Sequence, residues 1–166
     1  FQHFYKPGKR ISRERDWSTK LDEIIKNAKD WDIGVIVGVP AWIQIILEKI
    51  IDHYGAKSIH DIWPNLSVYV HSGHSFGPYG KSFEKLFGKK VFFQESYLAS
   101  EGYIAYTDGF DVSGLKLILD NDIFFEFIPF TDANFDGEGN LKSHPLALTI
   151  QAIEEGIEYA LLMSTC

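Results

Sequence analysis

Apolar residues recur every three to four positions at Trp17, Leu21, Ile24, Ile25 and Ala28, which predicts an amphipathic helix capped by Asp16 or Ser18. The period then breaks. Residues 33–37 form a short unbroken apolar run, the pattern of a strand covered on both faces. Pro40 suits the first turn of a helix that continues over 41–54. Its polar residues Gln44, Glu48 and Asp52 gather on one narrow face, so this helix is expected to be mostly buried, with Gly55 as its C-terminal cap. Residues 66–70 read as a second strand and 71–77 as a glycine-containing loop. Pro78 starts a further helix that carries Tyr79, Phe83, Leu86 and Phe87 and closes at Gly88. Residues 91–93 form a third strand leading into Tyr97-Leu-Ala-Ser-Glu-Gly102. Helix and strand alternate, which implies parallel strands joined by helical crossovers.

After Gly102 the rhythm changes. Residues 103–106, 115–119, 123–130, 148–153 and 158–164 are strand-like, separated by turn signals such as Asp108-Gly109, Ser113-Gly114 and Asp136-Gly137. The expected fold class is therefore α/β: an alternating half with a mainly parallel sheet, followed by antiparallel β strands.

Composition removes several function classes. With 45% hydrophobic and 23% charged residues, the 166-residue chain has the balance of a globular domain. A formal net charge of −7 argues against binding a phosphate backbone, so nucleic acid is not an expected partner. The one basic run, between Lys6 and Arg15, places a loose, solvated stretch at 1–15 ahead of a folded domain at 16–166. No apolar run reaches the roughly 18 residues of a membrane helix, and no membrane partner is expected. The single cysteine, Cys166, leaves no internal disulfide or thiolate zinc site and fits a reducing, cytoplasmic setting. The chain opens without Met and stops inside an apolar run, so it is expected to be a piece of a longer protein cut at both ends.

Within residues 97–102 a strand end delivers an aromatic ring, a hydroxyl and a carboxylate, at the position where α/β sheets bind ligands. A Tyr ring can stack on a base, a Ser hydroxyl can contact phosphate, and a Glu can hold Mg²⁺. A strand end with a buried Tyr and a solvated Glu is the plainer alternative. The 71–77 loop has two glycines but neither the Walker spacing nor a G-x-G-x-x-G run. His71 and His74 could suggest a metal pair, yet no third ligand accompanies them. Asp132-x-Asn134-x-Asp136-Gly137 imitates the start of a calcium loop. Ser143 occupies the twelfth position, where a bidentate Glu belongs, and a polar hairpin loop is the better account. The acidic residues between 95 and 126 do not fix the separation a glycosidase pair would need.

Five segments in order carry a resemblance. They are Val37-Gly-Val-Pro-Ala-Trp-Ile43, Ile59-His-Asp-Ile-Trp-Pro-Asn-Leu66, the loop from His71 to Phe76 with Pro78-Tyr79, Tyr97 to Gly102, and Leu119-Asp-Asn-Asp-Ile-Phe-Phe-Glu-Phe-Ile-Pro-Phe130. Together they resemble the bacterial branch of the auxin-responsive Gretchen Hagen family of acyl acid amido synthetases, within the firefly-luciferase-like adenylate-forming superfamily. The resemblance runs from about residue 11 to the end. It implies a partial adenylate-forming N-terminal domain, with ATP and Mg²⁺ as cofactors and a carboxylic acid and an amino acid as substrates.

By the same resemblance Tyr97 would lie against adenine, Ser100 would contact the α-phosphate, and Glu101 would bind the metal, which makes Ser100 and Glu101 the expected catalytic pair. Ser72, Gly73, His74, Ser75 and Phe76 would border the nucleotide, largely through backbone, and Val39, Trp42 and Ile43 would wall the acyl side. Two features depart from the family pattern. Ser72-Gly73 stands where relatives carry Gly-Gly, and His74-Ser-Phe-Gly-Pro78 replaces Val-Ser-Phe-Glu-Pro. The family's phosphate loop and its ribose-holding Tyr-Arg-x-Gly-Asp motif would lie in the missing N- and C-terminal parts of the parent chain, so the piece alone is expected to be inactive. An acyl-CoA ligase and a non-catalytic nucleotide-binding homologue are the alternatives.

Overall fold

A computed structural model describes residues 4–73, 76–109 and 114–165. The chain divides into two compact units, the first comprising Phe1–Tyr97 and Tyr106–Lys116, the second Leu98–Ala105 and Leu117–Cys166. The architecture is mixed α/β. One sheet takes the first five strands in chain order, and the last two strands form a separate antiparallel pair.

The first unit begins with the short helix α1 (Gly8–Ser12), inside the stretch expected to be loose. Ile11 is buried in the core there, and Arg10 pairs with Glu23 at 2.7 Å. Helix α2 (Trp17–Asn27) starts where the pattern puts it: of the two candidate caps, Asp16 accepts from the backbone N–H of Thr19 at 2.8 Å. Helix α3 (Pro40–Tyr54) has Pro in its first turn, and Gly55 closes it at φ +60°. A left-handed residue is needed at that cap, and glycine adopts it without a Cβ penalty.

Strands β1 (Val35–Val37), β2 (Val68–His71) and the first part of β3 (Phe92–Ala99) run parallel, with Tyr69 beside Phe93 and His71 beside Glu95. Helix α4 (Gly80–Leu86) covers the Tyr69 face through Phe83, whose ring stacks on Tyr69 at 5.2 Å. Leu47, Ile50, Ile59, Tyr69 and Phe83 are fully buried in this core. Each contributes on the order of 1.5–3 kcal/mol of apolar transfer.

Two burial expectations are corrected. Strand β1 is not covered on both faces: Ile36 is buried, while Val35 and Val37 are exposed. Val35 and Val37 share the face opposite Ile36, and an unbroken apolar run cannot distinguish one covered face from two. Likewise α3 is only partly buried. Pro40, Leu47 and Ile50 face the core, whereas Trp42 and Ile45 are exposed.

In the second unit β4 (Gly102–Tyr106), through its residues up to Ala105, packs Ile104 and Ala105 against Ile123 and Phe125. Those two belong to β6 (Ile123–Pro129), which pairs with β7 (Tyr159–Thr165) from Ile123 beside Thr165 to Pro129 beside Tyr159. Strand β5 keeps only Lys116–Leu117 of the expected 115–119. The strand expected at 148–153 does not form. Leu148 makes an isolated bridge to Phe127, with both N–O distances 2.8 Å, and Ile150–Ala152 then turn as a 3₁₀ helix. Both backbone groups of Phe127 bond Leu148, so this single bridge lies on the edge of β6 opposite β7.

Candidate functional site

The parallel part of the sheet decides which residues can meet a ligand, because loops leaving the carboxyl ends of parallel strands lie along one edge. In the first unit those ends lead into Gly38-Val39 after β1, Ser72-Gly73 after β2, and the last turns of β3 around Tyr97. Gly38 ties this edge together: its N–H donates to Val70 O at 3.0 Å and its carbonyl accepts from the Tyr69 hydroxyl at 3.1 Å. Gly73 adopts φ +91°, and a Cβ placed on it would sit 3.9 Å from Val39 Cγ2, so the β1 and β2 ends approach one another. Burial raises the Tyr69 hydroxyl well above the ordinary tyrosine range, which keeps it a neutral donor.

The sequence-predicted residues fall out differently. Tyr97 is 47% exposed and lies within β3 rather than beyond its end, since the strand runs on past the expected Phe93 to Ala99. Its hydroxyl has no hydrogen bond among the described residues. Ser72 is half-buried and Gly73 exposed. Phe76 turns inward, its ring stacked on His71 at 4.6 Å and tilted against Phe93 at 4.6 Å. His74 and Ser75 lie outside the described residues. Val39 is half-buried, and Trp42 is exposed, edge-on to Trp17 at 4.9 Å. Ile43 folds back over Gly38, with its Cδ1 2.9 Å from where a Gly38 Cβ would be, so its side chain packs against backbone.

In the second unit Ser100 and Glu101 form the two-residue connection between β3 and β4, both exposed. A connection this short can join only antiparallel neighbours, and it holds both side chains on a tight reversal. No hydrogen bond or ion pair among the described residues engages Glu101. Gly102 follows at φ +155°, where a Cβ would come within 2.7 Å of Ile123 Cδ1.

One grouping is not visible in the sequence. His71 and Glu95 are neighbours across β2 and β3, so their side chains share a face of the sheet. Thr107 adjoins them: its N–H donates to Glu95 O at 2.9 Å, and its Oγ1 accepts from Glu95 N at 3.2 Å. His71 is 2% exposed, and its Nδ1 has no hydrogen-bond partner among the described residues. Burial holds its pKa below the ordinary histidine value, with the nearby Glu95 charge partly opposing that shift. The three residues line a cavity of about 550 Å³. In the sequence His71 stands out beside His74, while its partners here are 24 and 36 positions away; pairing, not spacing, unites them.

The polar segment that imitates a calcium loop is a structural hairpin. Asp136 accepts from the backbone N–H groups of Glu138 and Asn140, and Asn134 bonds Pro129 O and Leu146 N. The hydrogen bonds from Asn140, and then that from Glu138, pull the Asp136 carboxyl below the usual carboxylate range. Among the described residues no group of three or more His, Cys, Asp or Glu could hold a metal ion by itself. Among them, too, no helix is long and apolar enough to cross a membrane. No protein-family model matches the chain, and no curated protein matches its sequence.

Proposed function

We propose that this chain is part of an adenylate-forming acyl acid amido synthetase, contributing to the domain that activates a carboxylic acid with ATP. The five ordered segments carry the reading. Within the first unit, the observation that supports it most is the exposure of Tyr97 towards the end of β3, whose parallel neighbour β2 leads into the half-buried Ser72 and the exposed Gly73.

In this reading a carboxylate oxygen of the acid attacks the α-phosphorus of ATP, and pyrophosphate leaves. The amine of an amino acid then attacks the activated acyl carbon, AMP leaves, and an amide remains. Tyr97 offers an exposed ring face to the adenine, and Ser100 offers a hydroxyl to the α-phosphate. Glu101 supplies an unpaired carboxylate. A lone carboxylate is a poor cage for a metal, but it suits Mg²⁺, which takes one or two carboxylates together with phosphate oxygens. Bound there, Mg²⁺ would offset the charge that develops on the departing pyrophosphate.

The test uses the complete polypeptide that carries this chain. Calorimetry with ATP and Mg²⁺ should show binding that weakens at least about tenfold in Glu101→Ala, consistent with loss of one charged contact. With a panel of carboxylic acids, amino acids should yield amide and AMP. Thioester formed with CoA in place of amide would replace this reading with an acyl-CoA ligase. Absence of ATP binding, with Glu101→Ala unchanged, would leave a non-catalytic module.

A further inference from the structure

We infer that the cavity beside His71, Glu95 and Thr107 is a second small-molecule site in the first unit, and that it takes a small aromatic amine. This rests on the cavity rather than on the adenylation reading, with which it shares one residue, Phe76.

Its volume of about 550 Å³ lies within the range of sites that enclose small ligands. Its wall is aromatic: Phe76, Phe87, Phe92 and Phe93 contribute, with Val91 beside them. The rings brace one another, Phe76 against Phe93 at 4.6 Å and Phe87 against Phe93 at 5.8 Å. A surface already ordered by such contacts costs a planar ligand little further ordering.

The polar groups choose the sign of the ligand. Glu95 is half-buried, and its carboxylate has no hydrogen bond or ion pair among the described residues, whereas its strand neighbours are fixed by the ladder. His71 does not neutralise it, because burial favours the uncharged imidazole. Of the two rim lysines, Lys89 is directed to Pro64 O, to which its Nζ donates at 2.9 Å while keeping its charge. Thr107 Oγ1 accepts from Glu95 N, which holds the backbone beside the Glu95 carboxylate in place. A ring therefore meets apolar walls, while an ammonium meets an unpaired carboxylate in a partly desolvated setting where such pairs are strongest. An anion of the same shape would face Glu95 and the exposed Glu84 instead.

Phenethylamine and 3-phenylpropionate are the probes, titrated against the protein by calorimetry and ligand-observed NMR. Phenethylamine should bind the unsubstituted protein, 3-phenylpropionate should not, and Glu95→Gln should weaken the amine at least about tenfold. Phe87→Leu should weaken it too, by loss of a ring from the wall. Circular dichroism of both variants establishes that they fold. Failure of phenethylamine to bind, equal binding by folded Glu95→Gln, or preference for the carboxylate probe would each overturn the proposal. If Glu95→Gln does not fold, the two-probe comparison on the unsubstituted protein decides alone.

Discussion

His60 should be a keystone of the first unit rather than a reactive group, and replacing it by Leu tests how the fold uses a buried imidazole. The ring is 6% exposed and lies in the 3₁₀ turn Ile59–Asp61. Its Nε2 is 2.8 Å from Leu66 O, and its Nδ1 is 3.1 Å from Gly88 N. A backbone N–H can only donate, so Nδ1 must be the acceptor and Nε2 must carry the proton. One neutral tautomer thus stitches the turn to the approach to β2 and to the end of α4. Leu fills comparable space but leaves a carbonyl and an amide without partners. Each buried polar group so orphaned costs about 1–3 kcal/mol, and Gly88 N is only partly buried. The sum is roughly 2–4 kcal/mol, a large share of the 5–15 kcal/mol typical of a whole domain. The four tryptophans, Trp17, Trp31, Trp42 and Trp63, all belong to this unit, so their fluorescence in a urea titration reports it alone. The midpoint should fall by about 1–2 M, and His60→Gln, which offers one acceptor and one donor, should recover part of the loss. An unchanged midpoint in His60→Leu, or a Gln variant no better than Leu, would refute the bridging role.

Gly102→Ala should destabilise the second unit by roughly 1–3 kcal/mol, because the new Cβ would lie 2.7 Å from the buried Ile123 Cδ1 at a φ that L residues rarely adopt. Hydrogen exchange over residues 117–165 measures this, and undiminished protection counts against it. The first unit should lose stability as pH falls below about 6.5. The folded-state pKa of His71 is depressed, so the unfolded chain takes up the proton first; the stabilisation is complete above the unfolded value and drains away as pH drops towards the folded one. Tryptophan-monitored urea titrations between about pH 7.5 and pH 5 should show this slope reduced in His71→Gln. An identical slope in that variant would remove the role given to burial.

Periodicity carried much of the first unit. The stripe from Trp17 to Ala28, the Pro40 start and the Gly55 stop were legible because each rests on local chemistry: side-chain spacing on one helix, a missing N–H, a missing Cβ. Exposure was less legible. Val35 and Val37 are as apolar as Ile36, and only what packs against the Ile36 face of the sheet decides which of them is covered. The length of β3 escaped for a related reason. Gln94, Glu95 and Ser96 interrupt its apolar pattern, yet the backbone stays extended because β2 continues beside it as far as His71. Ser96 adds a further tie through its hydroxyl, which donates to His71 O at 3.1 Å.

Those same three interrupting residues show why part of the candidate chemistry could be read from the chain and part could not. Tyr97, Ser100 and Glu101 lie within five consecutive positions, so their proximity is a property of the chain itself. The meeting of His71, Glu95 and Thr107 is a property of register, since a slip of one residue would send Glu95 to the opposite face. Polar residues inside a strand read along the sequence as a break in the hydrophobic pattern. Read across the sheet, Glu95 is the point where the pattern opens into a cavity, and its cost in apolar burial is what leaves an unpaired carboxylate available to a ligand.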